Sequence, residues 1–66
     1  MRIDWVKLAA EMARVQINCG ELAQRAGISR LTVTKAKQGK PCEYDTAKKI
    51  ANALNLSAAE LIKEEE

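Results

Sequence analysis

Three observations predict an all-α fold of five short helices. Capping residues recur ahead of apolar runs spaced three and four apart. Glycines and a single proline punctuate those runs, and no segment alternates apolar and polar residues over strand length. At 66 residues the chain is expected to form one domain, 1–66, with a small core that depends on close helix packing.

In the first helix Trp5, Leu8, Ala9 and Met12 follow the i, i+3, i+4, i+7 spacing of one buried face, with Asp4 as N-cap. Ile3 and Leu8 are placed for a hydrophobic staple across that cap. The second helix opens at Asn18, and Glu21 three residues on completes a capping-box spacing. Gly27 can take the left-handed conformation that closes it. Ser29 caps a third helix running to about Gln38, where Gly39 stops it and Pro41 prevents continuation. After a loop over Lys40–Glu43, a fourth helix spans about Tyr44 to Leu54, with Ala47, Ile50, Ala51 and Leu54 on one face and Asn55 as a left-handed stop. Ser57 and Glu60 form another capping box, opening a fifth helix that carries Leu61 and Ile62. Glu64-Glu65-Glu66 reads as an acidic, solubilising tail.

Charge is distributed unevenly. The net charge is only +2, yet Leu22 to Cys42 contains no Asp or Glu and holds Arg25, Arg30, Lys35, Lys37 and Lys40. Glu60 to Glu66 reverses this, with four Glu against one Lys. The asymmetry predicts one face for a polyanion and another turned away from it. Inside the basic window, a short helix, a glycine turn, a serine cap and a second short helix make a helix-turn-helix over about 18–38, the arrangement that docks on DNA.

Other function classes are disfavoured. No apolar run reaches membrane-span length, and Met1-Arg2-Ile3-Asp4-Trp5 lacks the apolar core of a signal peptide, so a soluble, cytoplasmic and nucleoid-associated protein is expected. Cys19 and Cys42 stand without any histidine, which makes zinc binding unexpected. They read as two small half-buried hydrophobes, with a disulfide as the alternative. With no histidine, no paired carboxylates placed for a plausible cleft and no phosphate-cradling glycine loop, neither an enzyme nor a cofactor is expected.

Projected as a helix, residues 29–38 turn Val33 and Ala36 inward and Arg30, Leu31, Thr34, Lys35 and Gln38 outward. Arg suits two parallel hydrogen bonds to guanine, Lys suits guanine acceptors or phosphate, and Thr bonds either way while its methyl can touch thymine. Base reading is therefore assigned to Arg30, Leu31, Thr34 and Lys35. Leu31 has two readings, contact with a thymine methyl or packing against a neighbouring helix. A solvated basic face is the bland alternative for the whole stripe. Phosphate anchors are expected at the second-helix start, through the backbone N–H groups of Asn18, Cys19 and Gly20, and at Lys37 and Lys40. Lys37 could instead simply face solvent with its stem packed down. Arg2, Lys7, Arg14, Lys48 and Lys49 read as ordinary outer-face residues.

The stretch Glu21-Leu22-Ala23-Gln24-Arg25-Ala26-Gly27-Ile28-Ser29 resembles the ELAxxxGxS core of the Xre family, the phage-repressor and Cro type of helix-turn-helix. Asp45 to Ser57 is similar to that family's fourth-helix signature, and Glu60-Leu61-Ile62 to its usual fifth-helix ending. The resemblance covers essentially the whole chain. It implies a five-helix, lambda-repressor-like helix-turn-helix domain that binds operator DNA, commonly as a homodimer. It also implies that Ser29, Arg30, Leu31, Thr34 and Lys35 contact bases or adjacent phosphates, with Ser29 on phosphate, and that Asn18 and Cys19 grip phosphate. Two positions depart from the pattern. Many relatives carry Gln where Cys19 stands, and a thiol is a weak donor. Met12 and Lys37 occupy the places of an Arg–Glu pair found in many phage repressors; an apolar Met there avoids the desolvation of a buried charge.

The sequence thus predicts a sequence-specific double-stranded DNA-binding transcriptional regulator, its third helix in the major groove. As a homodimer it would read a pseudo-palindrome with half-sites about 10 bp apart. Leu61 and Ile62 are assigned either to pairing of two copies or to the chain's own core. A second class, a protein-interaction or antitoxin-like module retaining the fold, is favoured by an outward Leu31 and the missing Gln.

Overall fold

The computed structural model describes residues 2–63. Five helices run in chain order: α1 (Trp5–Val15), α2 (Cys19–Ala26), α3 (Arg30–Lys37), α4 (Tyr44–Ala53) and α5 (Ala58–Leu61). The acidic stretch 64–66 lies outside the described residues.

The starts of α1, α2, α3 and α5 are each made by a local side chain, as the capping pattern predicts. Asp4 accepts the N–H groups of Val6 and Lys7. Asn18 with Glu21, and Ser57 with Glu60, form full capping boxes. Ser29 accepts the Thr32 N–H at 3.1 Å. Glu43, ahead of α4, makes no side-chain cap. Left-handed residues end or follow the helices: Gly27 (φ 73°), Gly39 (φ 77°) and Asn55 (φ 62°), as the sequence predicts. Gln16 (φ 59°) closes α1 in the same way without glycine's freedom. Its N–H reaches back to the Ala13 carbonyl, and that of Ile17 to Met12.

The core unites all five helices. Ile3, Leu8, Met12, Leu22, Val33, Ile50, Leu54 and Leu61 are buried together with Ala23, Ala36, Ala47 and Ala51. The four alanines let α2, α3 and α4 approach closely, which suits so short a chain. Met12 is buried as an apolar side chain, so the place of a paired Arg is filled without a charge to desolvate.

Three features differ from the sequence expectation or decide between its alternatives. Arg2–Ile3 (β1) pairs antiparallel with Ile62–Lys63 (β2), in register Arg2 with Lys63 and Ile3 with Ile62. Arg2 also bridges to Pro41, and the Asp4 N–H donates to the Leu61 carbonyl at 2.8 Å. This clasp joins both ends of the described chain to the loop after α3. The fifth helix consequently stops at Leu61, and Ile62 is extended (φ −79°, ψ 132°) because its backbone is committed to Ile3. Second, Leu61 is fully buried in the chain's own core, so it has no surface with which to pair a second copy; Ile62 packs against the same core. Third, Trp5 is half-exposed instead of sharing the core with Leu8 and Met12. It lies over Gly39, where a Cβ would sit 3.2 Å from the indole Cδ1.

Candidate nucleic-acid interface

The turn between α2 and α3 is fixed from inside. Leu22 and Ala23 seat α2, while Val33 and Ala36 seat α3. Gly27 supplies the left-handed residue, the Ile28 N–H donates to the Ala23 carbonyl at 3.0 Å, and the Ile28 side chain packs against the core. Two helices held by four buried side chains and a bonded turn form a rigid pair, so the outer side of α3 is presented as one surface.

On that surface Arg30, Leu31 and Lys35 are exposed, with Leu31 at 63 % the most open large apolar side chain among the described residues. Leu31 therefore does not pack against a neighbouring helix. Thr34 is half-buried, and its hydroxyl donates to the Arg30 carbonyl at 3.0 Å, leaving oxygen lone pairs and a methyl. Ser29, Lys37, Gln38 and Lys40 are exposed. Arg30, Leu31, Thr34 and Lys35 thus share one helix face, while Lys37 stands to its flank and Lys40 lies in the loop beyond.

No acid sits in the first turn of α3, and no ion pair joins Arg30, Lys35, Lys37 or Lys40 to a carboxylate among the described residues. Thr32 lies off the outward stripe, and its hydroxyl is 2.7 Å from Ser29 Oγ. The pair closes the α3 start together, so the Ser29 hydroxyl is engaged in capping. The Ser-x-x-Thr spacing is the signal that locates it.

At the α2 start the accounting of N–H groups is specific. Glu21 Oε1 accepts the Asn18 N–H at 3.0 Å, and Asn18 Oδ1 accepts the Glu21 N–H at 2.8 Å. Cys19 and Gly20 are left as the two residues whose N–H groups have no intrahelical acceptor. The Cys19 side chain is half-buried against the core, so its backbone is what it presents. Gly20 is helical rather than strained, and a Cβ there would meet only Asn18 Oδ1 at 3.4 Å. The Glu21 carboxylate, just outside the acid-free window, opposes an anion at this helix start.

On α1 two cations are paired with an acid. Glu11 takes a 2.7 Å hydrogen bond from Arg14 and a 3.7 Å pair with Lys7. The Arg14 bond, ahead of the charges of Arg14 and Lys7, holds its carboxyl below the ordinary 4.5. Cys19 and Cys42 are not joined in a disulfide, and burial pushes the Cys42 thiol up. Among the described residues no helix is long and apolar enough to cross a membrane, and no cluster of three or more His, Cys, Asp or Glu gathers.

The sequence model of a family described as the Cro/C1-type helix-turn-helix DNA-binding domain matches residues 7–65. No curated protein and no solved structure matches the chain.

Proposed function

Because the chain belongs to the Cro/C1-type helix-turn-helix DNA-binding family, we propose that it is a sequence-specific regulator of transcription that inserts α3 into the major groove of double-stranded DNA. Arg30, Leu31, Thr34 and Lys35 read base edges. Backbone N–H groups at Cys19 and Gly20, with Asn18 and Ser29 at the two helix starts and Lys37 and Lys40 beside α3, hold the phosphates. The observation that carries this reading is the exposed, acid-free outer face of α3 on a buried, rigid helix pair.

One short helix touches few base pairs, so specificity over a genome favours two copies on a pseudo-palindrome, half-sites about 10 bp apart. Leu61 is sealed in the monomer, which leaves the partly buried Ile62 of the two residues assigned to pairing. Selection from a random duplex pool at moderate salt tests both points. The expected outcome is an enriched, two-fold symmetric site. Duplex binding without any enriched sequence would reduce the protein to a nonspecific binder. Absence of duplex binding at low salt would instead favour a protein-interaction module.

A further inference from the structure

Resting on the reading that α3 lies in the major groove, we propose that it selects guanine opposite Arg30 and Lys35 and thymine opposite Leu31, rejecting the amino-bearing bases adenine and cytosine at these positions. In that groove guanine shows two acceptors, N7 and O6. Thymine shows the O4 acceptor and a methyl. Adenine and cytosine each direct an amino donor outward.

Three side chains on the outer face of α3, Arg30, Leu31 and Lys35, are matched to the first pair. Arg30 and Lys35 are donors only. Leu31, 63 % exposed, carries no polar atom and two methyls. Thr34 could donate or accept, but its hydrogen is given to the Arg30 carbonyl at 3.0 Å, which leaves a half-buried acceptor oxygen and a methyl. Ser29 Oγ is shared with the N–H and hydroxyl of Thr32. No Asn, Gln, Asp or Glu occurs from Arg30 to Lys37, and the first amide, Gln38, comes at the far end of the helix. An amino group facing Arg30 or Lys35 therefore meets another donor, and both stay unpaired once water is excluded. The side chains thus specify base chemistry, whereas a basic face alone would specify only phosphate.

The test uses the enriched duplex from the pool and three changes. Uracil for thymine opposite Leu31 removes one methyl and is expected to weaken binding about fourfold, the equivalent of one buried carbon. The same change is expected to do nothing in Leu31→Ala, whose exposed position leaves folding intact. 7-Deazaguanine opposite Arg30 removes N7 and is expected to weaken binding roughly tenfold. Arg30→Gln, which adds an acceptor beside a donor, is expected to move the preferred base at one position from guanine to adenine. Indifference to the thymine methyl, indifference to N7, or an unmoved preference in Arg30→Gln overturns the inference while specific binding survives. A pool that yields no enriched sequence overturns the groove reading itself, and this inference with it.

Discussion

The outer faces of α1 and α3 carry the same kinds of cation and treat them in opposite ways. On α1, Lys7 and Arg14 converge on the partly covered Glu11 between them. On α3, Arg30, Lys35 and Lys37 meet no acid among the described residues. An intrahelical Glu–Lys or Glu–Arg pair is worth a few tenths of a kcal/mol, and α3 forgoes it while leaving a leucine in the open. Positive charge by itself does not mark a polyanion site. Positive charge on an acid-free helix face, beside an open leucine and anchored by Val33 and Ala36, is what supports the proposed site.

Giving α3 the arrangement of α1 is the most severe challenge to that contrast. Leu31→Glu places a carboxylate one turn before Lys35 and in the first helical turn. Thermal unfolding should show the protein unchanged or more stable by about 0.3–1 kcal/mol. Binding of the selected duplex, measured by fluorescence anisotropy, should weaken by several kcal/mol, because a carboxylate would face phosphates and base acceptors. Loss of both properties together would mean that α3 acts only through the fold.

A smaller and more selective effect is expected from neutralising one cation on each helix. Arg30→Ala should cost roughly 1–3 kcal/mol of binding and relax the preference at one base pair. Arg14→Ala should leave duplex affinity unchanged. Equal losses on all sequences for Arg30→Ala would assign that side chain to phosphate alone. Lys40→Ala should instead flatten the salt dependence by about one released counterion. An unchanged slope would remove Lys40 from the contact surface.

The smallest effect concerns α1 itself. The folded-state pKa of Glu11 is lowered, so its pairing contributes stability above the unfolded value near 4.5 and loses it as pH falls through the lower folded value. Glu11→Gln should therefore make the stability profile flatter below pH 4.5, read from chemical unfolding at several pH values. An unaltered profile would show that the contacts with Arg14 and Lys7 add nothing in solution.

What could be read from the sequence follows interaction range. The starts of α1, α2, α3 and α5 were legible because Asp4, Asn18, Ser29 and Ser57 act on N–H groups two or three residues away. Gly27, Gly39 and Asn55 were legible for the same reason, as was the inward pair Val33 and Ala36. The clasp was not, because two-residue strands have no detectable period and Ile3 meets Ile62 from the other end of the chain. The half-exposure of Trp5 was hidden likewise, since it depends on Gly39 being underneath. Within the site, residue type gave the outward stripe, but not the direction of the Thr34 hydrogen or the sealing of Leu61, which are set by backbone and core geometry. The capping role of Glu21 is legible from its spacing to Asn18, whereas its opposition to a phosphate at the same helix start depends on where the two capping bonds leave its carboxylate.

The contrast between α1 and α3 is tested most directly by following every backbone amide of the chain, by nuclear magnetic resonance, as the selected duplex is added. The account predicts large shifts for Cys19, Gly20 and residues 29–35, with Lys37 and Lys40 following, while Lys7, Glu11 and Arg14 stay still. Shifts centred on the α1 outer face, with Arg30, Leu31 and Lys35 unmoved, would contradict it.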